Sequence, residues 1–193
     1  MTNHLAAAGR ITVPVALEIA GHEALVQEAY LDSVKVWTWG IGVTDKSGHR
    51  VQRYKDNPQP IARCVEVFIW LLRTKYLPEV QDAFADCALT EAQLAAALSF
   101  HFNTGAIHRA DWVRAWKMGS VETAHAAFMN WRSPASIIPR REKERDLFFD
   151  GVWSNDGTTL HYDVRKPSYT PNWSSARRID ISGEVRTAIE AGV

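Results

Sequence analysis

A chain of 193 residues suits one domain, or two lobes sharing a core, and an apolar share of 46% is ample for a packed interior. Lys plus Arg equals Asp plus Glu, at 22 each, so no global basic field argues for nucleic acid or an anionic membrane surface. Eight tryptophans are a heavy load that serves either core packing or stacking on sugars and bases.

In "MTNHLAAAGRITVPVALEIAGHE", Glu18 and Glu23 interrupt the best apolar run, so no signal-peptide core is legible. Val65–Leu72 is the most apolar stretch elsewhere. It contains Glu66 and is far shorter than the ~20 residues a membrane span needs. The expectation is a soluble protein made in the cytoplasm, without stable membrane insertion. Cys64 and Cys87 stand at no metal-like spacing and read as small buried hydrophobes, with a disulfide as the alternative.

Pro14 suits the first turn of a short helix that weakens near Gly21 and leaves Glu23 around its C-terminal end. From Ala29 the pattern turns to short aromatic and β-branched runs, "AYLD", "VWTWG" and "IGVT". Turn-like Asp32–Lys35 and Asp45–Gly48 separate them, and "RYKDNPQP" ends the region. Pro60 opens a helix whose buried face runs through Ile61, Cys64, Val65, Phe68, Ile69, Leu72 and Tyr76. A second helix is expected from Pro78. "TEAQLAAALSFHFNTG" carries a capping box, Thr90 to Gln93, with Gly105 as its stop. Further helices fit Trp112–Met118, Val121–Trp131 and Pro139 to Gly151. After Trp153, polar residues and the prolines of "KPSYTPNW" suggest an extended tail, with a weak final helix at Glu184–Ala191.

Several chemistries find little support. "HEALV" lacks the second histidine of a zinc-protease helix, because position 26 is Val. No phosphate loop or nucleophile elbow occurs. No metal or cofactor is expected.

The carboxylates offer more. Glu23 follows an apolar helix and precedes Ala24 and Leu25, where partial desolvation would suit a general acid. Asp32 falls at a turn where it can stay ionised, and Thr38 in the next strand offers a hydroxyl to hold a water. An acid, a base and a water-holder are what glycosidic bond hydrolysis requires. Helix caps, turn aspartates and strand threonines are the ordinary reading of the same residues.

The order E-x8-D-x5-T at Glu23, Asp32 and Thr38, with "WTWGIGVT" around Gly40 and Gly42, resembles the phage lysozymes or endolysins of glycoside hydrolase family 24. "LTEAQLAAALSFHFNTG" and "PRREKERDLFFDGVW" follow in the order of that family, and the likeness covers residues 15 to 153. It implies an α+β, mainly α, lysozyme-like two-lobe fold. A small N-terminal β-hairpin lobe at 23–57 would face a helical lobe at 60–153 across a cleft. The tail, 154–193, lies outside the likeness; the large aromatics Trp153, Tyr162, Tyr169 and Trp173 suggest that it packs back on the helical lobe, with a separate wall-binding module as the alternative.

The likeness further implies muramidase activity on the β-1,4 bond between N-acetylmuramic acid and N-acetylglucosamine of bacterial peptidoglycan. Glu23 maps to the general acid, and Asp32 and Thr38 to the groups positioning water, with inversion as the usual outcome. Phe102 and Asn103 correspond to cleft-lining positions, and Arg140 or Arg141 is expected to approach Glu23. Trp37, Trp39 and Trp131 are sugar-stacking candidates, with core packing the competing role; among them Trp39 is taken for the substrate site, with Phe102, Asn103 and Arg141.

Many relatives place His after the second glycine, where this chain has Val43, which bears on local stability and pH response. The family likeness also implies a monomer in the host cytoplasm that reaches the periplasm through a holin. A lytic transglycosylase and an inactive peptidoglycan-binding module are the alternatives.

Overall fold

A computed structural model describes residues 9–193. The first eight residues, part of the stretch read for a leader, lie outside the described residues. The chain divides into two compact units, one of residues 9–19 and 73–154, the other of Ala20–Leu72 and Asn155–Val193. Helix dominates, with a small sheet.

The first unit is helical. Helix α1 (Val13–Gly21) starts there, where the Thr12 hydroxyl accepts from Val15 N and donates to Glu91 Oε1 at 2.6 Å. Buried Glu18 accepts from both the amide and the hydroxyl of Ser154. In the second unit, α2 (Ile61–Leu71) follows Pro60 and leads into a π-helical turn at Leu72–Tyr76. Helix α3 (Leu77–Ala83) continues at once, because Pro78 lies in its first turn, where its missing N–H costs nothing.

Helix α4 (Glu91–Thr104) carries the expected capping box between Thr90 and Gln93 and ends at Gly105 in the left-handed region. Helices α5 (Asp111–Lys117), α6 (Val121–Phe128) and α7 (Ile138–Asp150) complete the unit. Its core is aromatic: Phe100, Trp112, Phe128 and Phe148 are all buried, and Trp112 meets Phe128 at 4.6 Å and Phe148 at 5.0 Å between ring centroids.

The second unit holds the sheet. Strands β1 (Ala24–Leu31), β2 (Trp37–Ile41) and β3 (Val43–Thr44) form an antiparallel meander. β1 begins five residues before the expected change at Ala29. A bulge between Val26 and Tyr30 breaks its alternation, so "ALVQE" lacks the period-2 signature by which a strand is read. Both glycines of "WGIG" have positive φ, 62° at Gly40 within β2 and 64° at Gly42 between β2 and β3, where a side chain would be strained. Val43, noted above as a departure from the resembled pattern, is buried opposite Trp39.

The tail departs most from expectation. Strand β4 (Thr158–His161) pairs parallel with β1, the short β5 (Val164–Arg165) and β6 (Thr170–Pro171) form a hairpin, and β7 (Arg177–Asp180) pairs with β4. The five-stranded order is β3-β2-β1-β4-β7. Helix α8 (Ser182–Glu190) packs on α2 and buries Val185 and Ala188.

Residues 155–193 share one compact unit with the β1–β3 meander and with α2. The physical reason is the open edge of β1, whose backbone groups take β4 as their partner. Of the aromatics expected to anchor the tail, Trp153 stays in the helical unit, Tyr162 and Trp173 pair with each other, and Tyr169 meets Trp37.

Candidate active site

Asp32, Thr38 and Glu23 all lie in the β unit. Glu23 follows the C-terminus of α1, its amide donating to Ala20 O at 3.1 Å, and leads directly into β1. Its carbonyl and that of Ala20 both lie 2.9 Å from the Thr159 hydroxyl of β4. Asp32 directly follows β1. One carboxylate oxygen accepts from the amides of Val34 (2.9 Å) and Val36 (2.8 Å), while the Asp32 amide donates to Val36 O. Those bonds fix the turn and the plane of the carboxylate.

The second oxygen of Asp32 lies 3.5 Å from Thr38 Oγ1, and that hydroxyl also reaches Val36 O at 3.2 Å. Thr38 is buried and pairs with Tyr30 across the ladder, as Leu31 does with Trp37. Residues directly opposite share a face, and so do residues two apart on a strand. Tyr30 and Thr38 thus share a face, and the Asp32 carboxylate approaches it through Thr38. The Tyr30 phenol is held well above its ordinary range by burial first, then by the negative charges of Glu23 and Asp32. Tyr30 was not among the residues singled out in the sequence. Its position two before Asp32 was the available signal.

The substrate-binding expectations divide. Trp39 is corrected: it is fully buried, stacks on Tyr54 at 4.0 Å, and its indole N–H donates to Gln27 O. No face remains for a sugar. Trp37 is the half-buried partner in the alternation.

In the helical unit, Asn103, Trp131 and Arg141 line one cavity of about 390 Å³, together with Asn130, Ser133 and Pro134. Arg141 reaches Asn103 Oδ1 at 2.8 Å and Trp131 O at 3.0 Å. Phe102 is not among that cavity's lining residues; its ring lies against Tyr76 at 4.8 Å.

Arg140 and Arg141 both bond to Glu144, which is wholly buried and also accepts from the Ser99 hydroxyl at 2.5 Å. Burial pulls the Arg141 guanidinium below its usual range, against the opposing charge of Glu144. Among the described residues, no group of three or more His, Cys, Asp or Glu side chains is placed to hold a metal ion, and both cysteines are free. Burial pushes the Cys64 thiol up to about 12, as befits a core residue. No helix among the described residues is long and apolar enough to cross a membrane.

The phage lysozyme family model matches residues 20–144. The chain belongs to that family. Its lysozyme-type chemistry makes it a glycosidase that degrades peptidoglycan. A mutant of P22 lysozyme is 24% identical, with a TM-score of 0.59 over 72% of this chain and 97% of that one. The endolysin of an Escherichia coli phage, FAHEc1, is 19% identical, with a TM-score of 0.59 over 77% and 99%. The muramidase domain of SpmX from Asticaccaulis excentricus is 28% identical, with a TM-score of 0.55 over 72% and 97%. No curated protein sequence matches significantly. The family match stops before the tail, so β4 to α8 lie outside it.

Proposed function

We propose that this phage lysozyme hydrolyses the β-1,4 bond between N-acetylmuramic acid and N-acetylglucosamine, with Glu23 as general acid and Asp32 and Thr38 holding the attacking water. The observation that carries this is the 3.5 Å separation of Asp32 Oδ2 and Thr38 Oγ1. It is long for a direct O–H···O bond. It suits a water that donates to both oxygens and keeps a lone pair for attack. With its hydrogen on Val36 O, Thr38 presents only lone pairs to that water. Asp32 then takes the proton as the water attacks, while Glu23 protonates the departing oxygen. Inversion at the anomeric carbon follows from attack by water on the far face.

The cavity at Asn103, Trp131 and Arg141 supports a saccharide contact in the helical unit. Trp131 offers a ring and Asn103 an amide, the pairing of apolar surface and fixed polar groups that sugars require. The enzyme acts as a monomer, made in the host cytoplasm and released to the periplasm by a holin. Turbidity clearing by intact cells, with and without a co-expressed holin, tests that route.

Mass spectrometry of the released muropeptides tests the reaction itself. Hydrolysis leaves reducing N-acetylmuramic acid ends. Anhydro ends would replace this reading with a transglycosylase, and no release at all would leave a binding module.

A further inference from the structure

The C-terminal extension touches the backbone on either side of the proposed catalytic groups. Tyr169 O accepts from Leu31 N at 2.6 Å, immediately before Asp32. The Tyr169 ring meets Trp37 edge to face at 5.7 Å, immediately before Thr38. Leu31 and Trp37 are themselves paired across the ladder, so one residue of the tail grips both strands at the base of the Asp32 turn.

Tyr169 is held there in turn. Its hydroxyl donates to Asp56 Oδ2 at 2.7 Å, and Lys166 bonds both Asp56 and Glu28 of β1. Lys166 and Lys55 lie over its ring, 4.3 Å and 4.4 Å from the centroid. Its φ of 55° is one that a bulky side chain rarely adopts, and such a conformation persists where surrounding contacts over-determine it. At the other end of β1, the Thr159 hydroxyl lies 2.9 Å from the Glu23 carbonyl.

We propose that this extension positions the hydrolytic residues, with Tyr169 and Lys166 clamping the base of the Asp32 turn and Thr159 holding the Glu23 backbone. The inference rests on the catalytic reading above. It assigns these tail residues no contact with substrate; they act through Asp32 and Glu23. Small displacements of a reacting group cost rate far more than affinity, which makes the split between kcat and KM diagnostic.

The test uses the full chain and a suspension of purified peptidoglycan. The Lys166→Ala/Tyr169→Ala double variant should lose about tenfold in kcat, with apparent KM within about twofold of the parent. Hydrogen exchange at the Leu31 amide should accelerate, and Lys166→Arg should stay near the parent in both readouts. Thr159→Val, which keeps the shape and removes the hydroxyl, is the second variant and should also lower kcat in a folded protein. A folded double variant with the parent kcat overturns the clamp, as does a loss that merely tracks the unfolded fraction. Asp32→Asn is measured beside them. If it is inactive while the clamp variants are fully active, the clamp alone falls; if it is fully active, the catalytic reading falls first.

Discussion

At the scale of single residues, Glu23→Gln keeps size and polarity and removes the proton that the proposed general acid would give to the leaving oxygen. Lysis should drop by about 10²–10⁴-fold with the melting temperature near that of the parent, measured by turbidity and thermal denaturation. Thr38→Val retains the branched shape suited to β2 and removes the hydroxyl that faces Asp32. It should cost about 1 kcal/mol of stability from the lost Val36 bond and a much larger share of activity. Parent-rate lysis by folded Thr38→Val would reduce the site to its two carboxylates. Trp39 behaves in the opposite way. Trp39→Ala should lose about 3–5 kcal/mol in urea denaturation, because a fully buried ring stacked on Tyr54 leaves a cavity.

At the scale of elements, α4 and α7 are joined through charge that is out of solvent. Glu144 on α7 receives Arg140, Arg141 and the Ser99 hydroxyl of α4. Glu144→Leu would leave two buried guanidinium groups without their carboxylate. A loss of about 3–5 kcal/mol is expected, well above the ~1 kcal/mol for removing the α4 cap with Thr90→Ala. Comparing the two urea midpoints checks the order. The capping box, Gly105 and Gly151 were legible because caps are local: a side chain bonds an amide three residues away, and glycine adopts a positive φ. The start of β1 was not, because a bulge removes the alternation that marks a strand.

At the scale of the whole molecule, truncation after Ser154 removes β4, β7 and α8 and uncovers the edge of β1 and a face of α2. Loss of the buried Ile181, Val185 and Ala188 alone should lower the melting temperature by about 10 °C or more. Unchanged stability would mean that the extension is a dispensable appendage.

The histidines set a pH dependence. Burial holds His49, His101 and His161 below the ordinary imidazole value. In the unfolded chain they bind protons at higher pH than in the native state. Their contribution is therefore fully present above ~6.5 and is lost as pH falls below it toward the folded values. Melting temperatures between pH 7.5 and 5 should decline, and His161→Gln should flatten part of that slope.

What the sequence by itself determined is the set of features carried by neighbours in the chain. Helix periods, the capping box and the glycine stops need only a few residues of context. The ordered spacing of Glu23, Asp32 and Thr38 likewise needs only a hairpin to bring two of the three together. Only the tertiary structure decided which side of an alternating strand is core, so Trp39 is packing while the similar Trp37 is half-buried. It also decided that Arg140 and Arg141 bond to Glu144, four and three residues on, and that Tyr30 lies within the field of both carboxylates. The tail shows the reason most clearly. Its polar, unphased residues hold too little apolar surface to fold alone, so their structure comes from partners more than a hundred positions away, β1 and α2. Non-local hydrogen bonding of that kind leaves no period in the chain to be read.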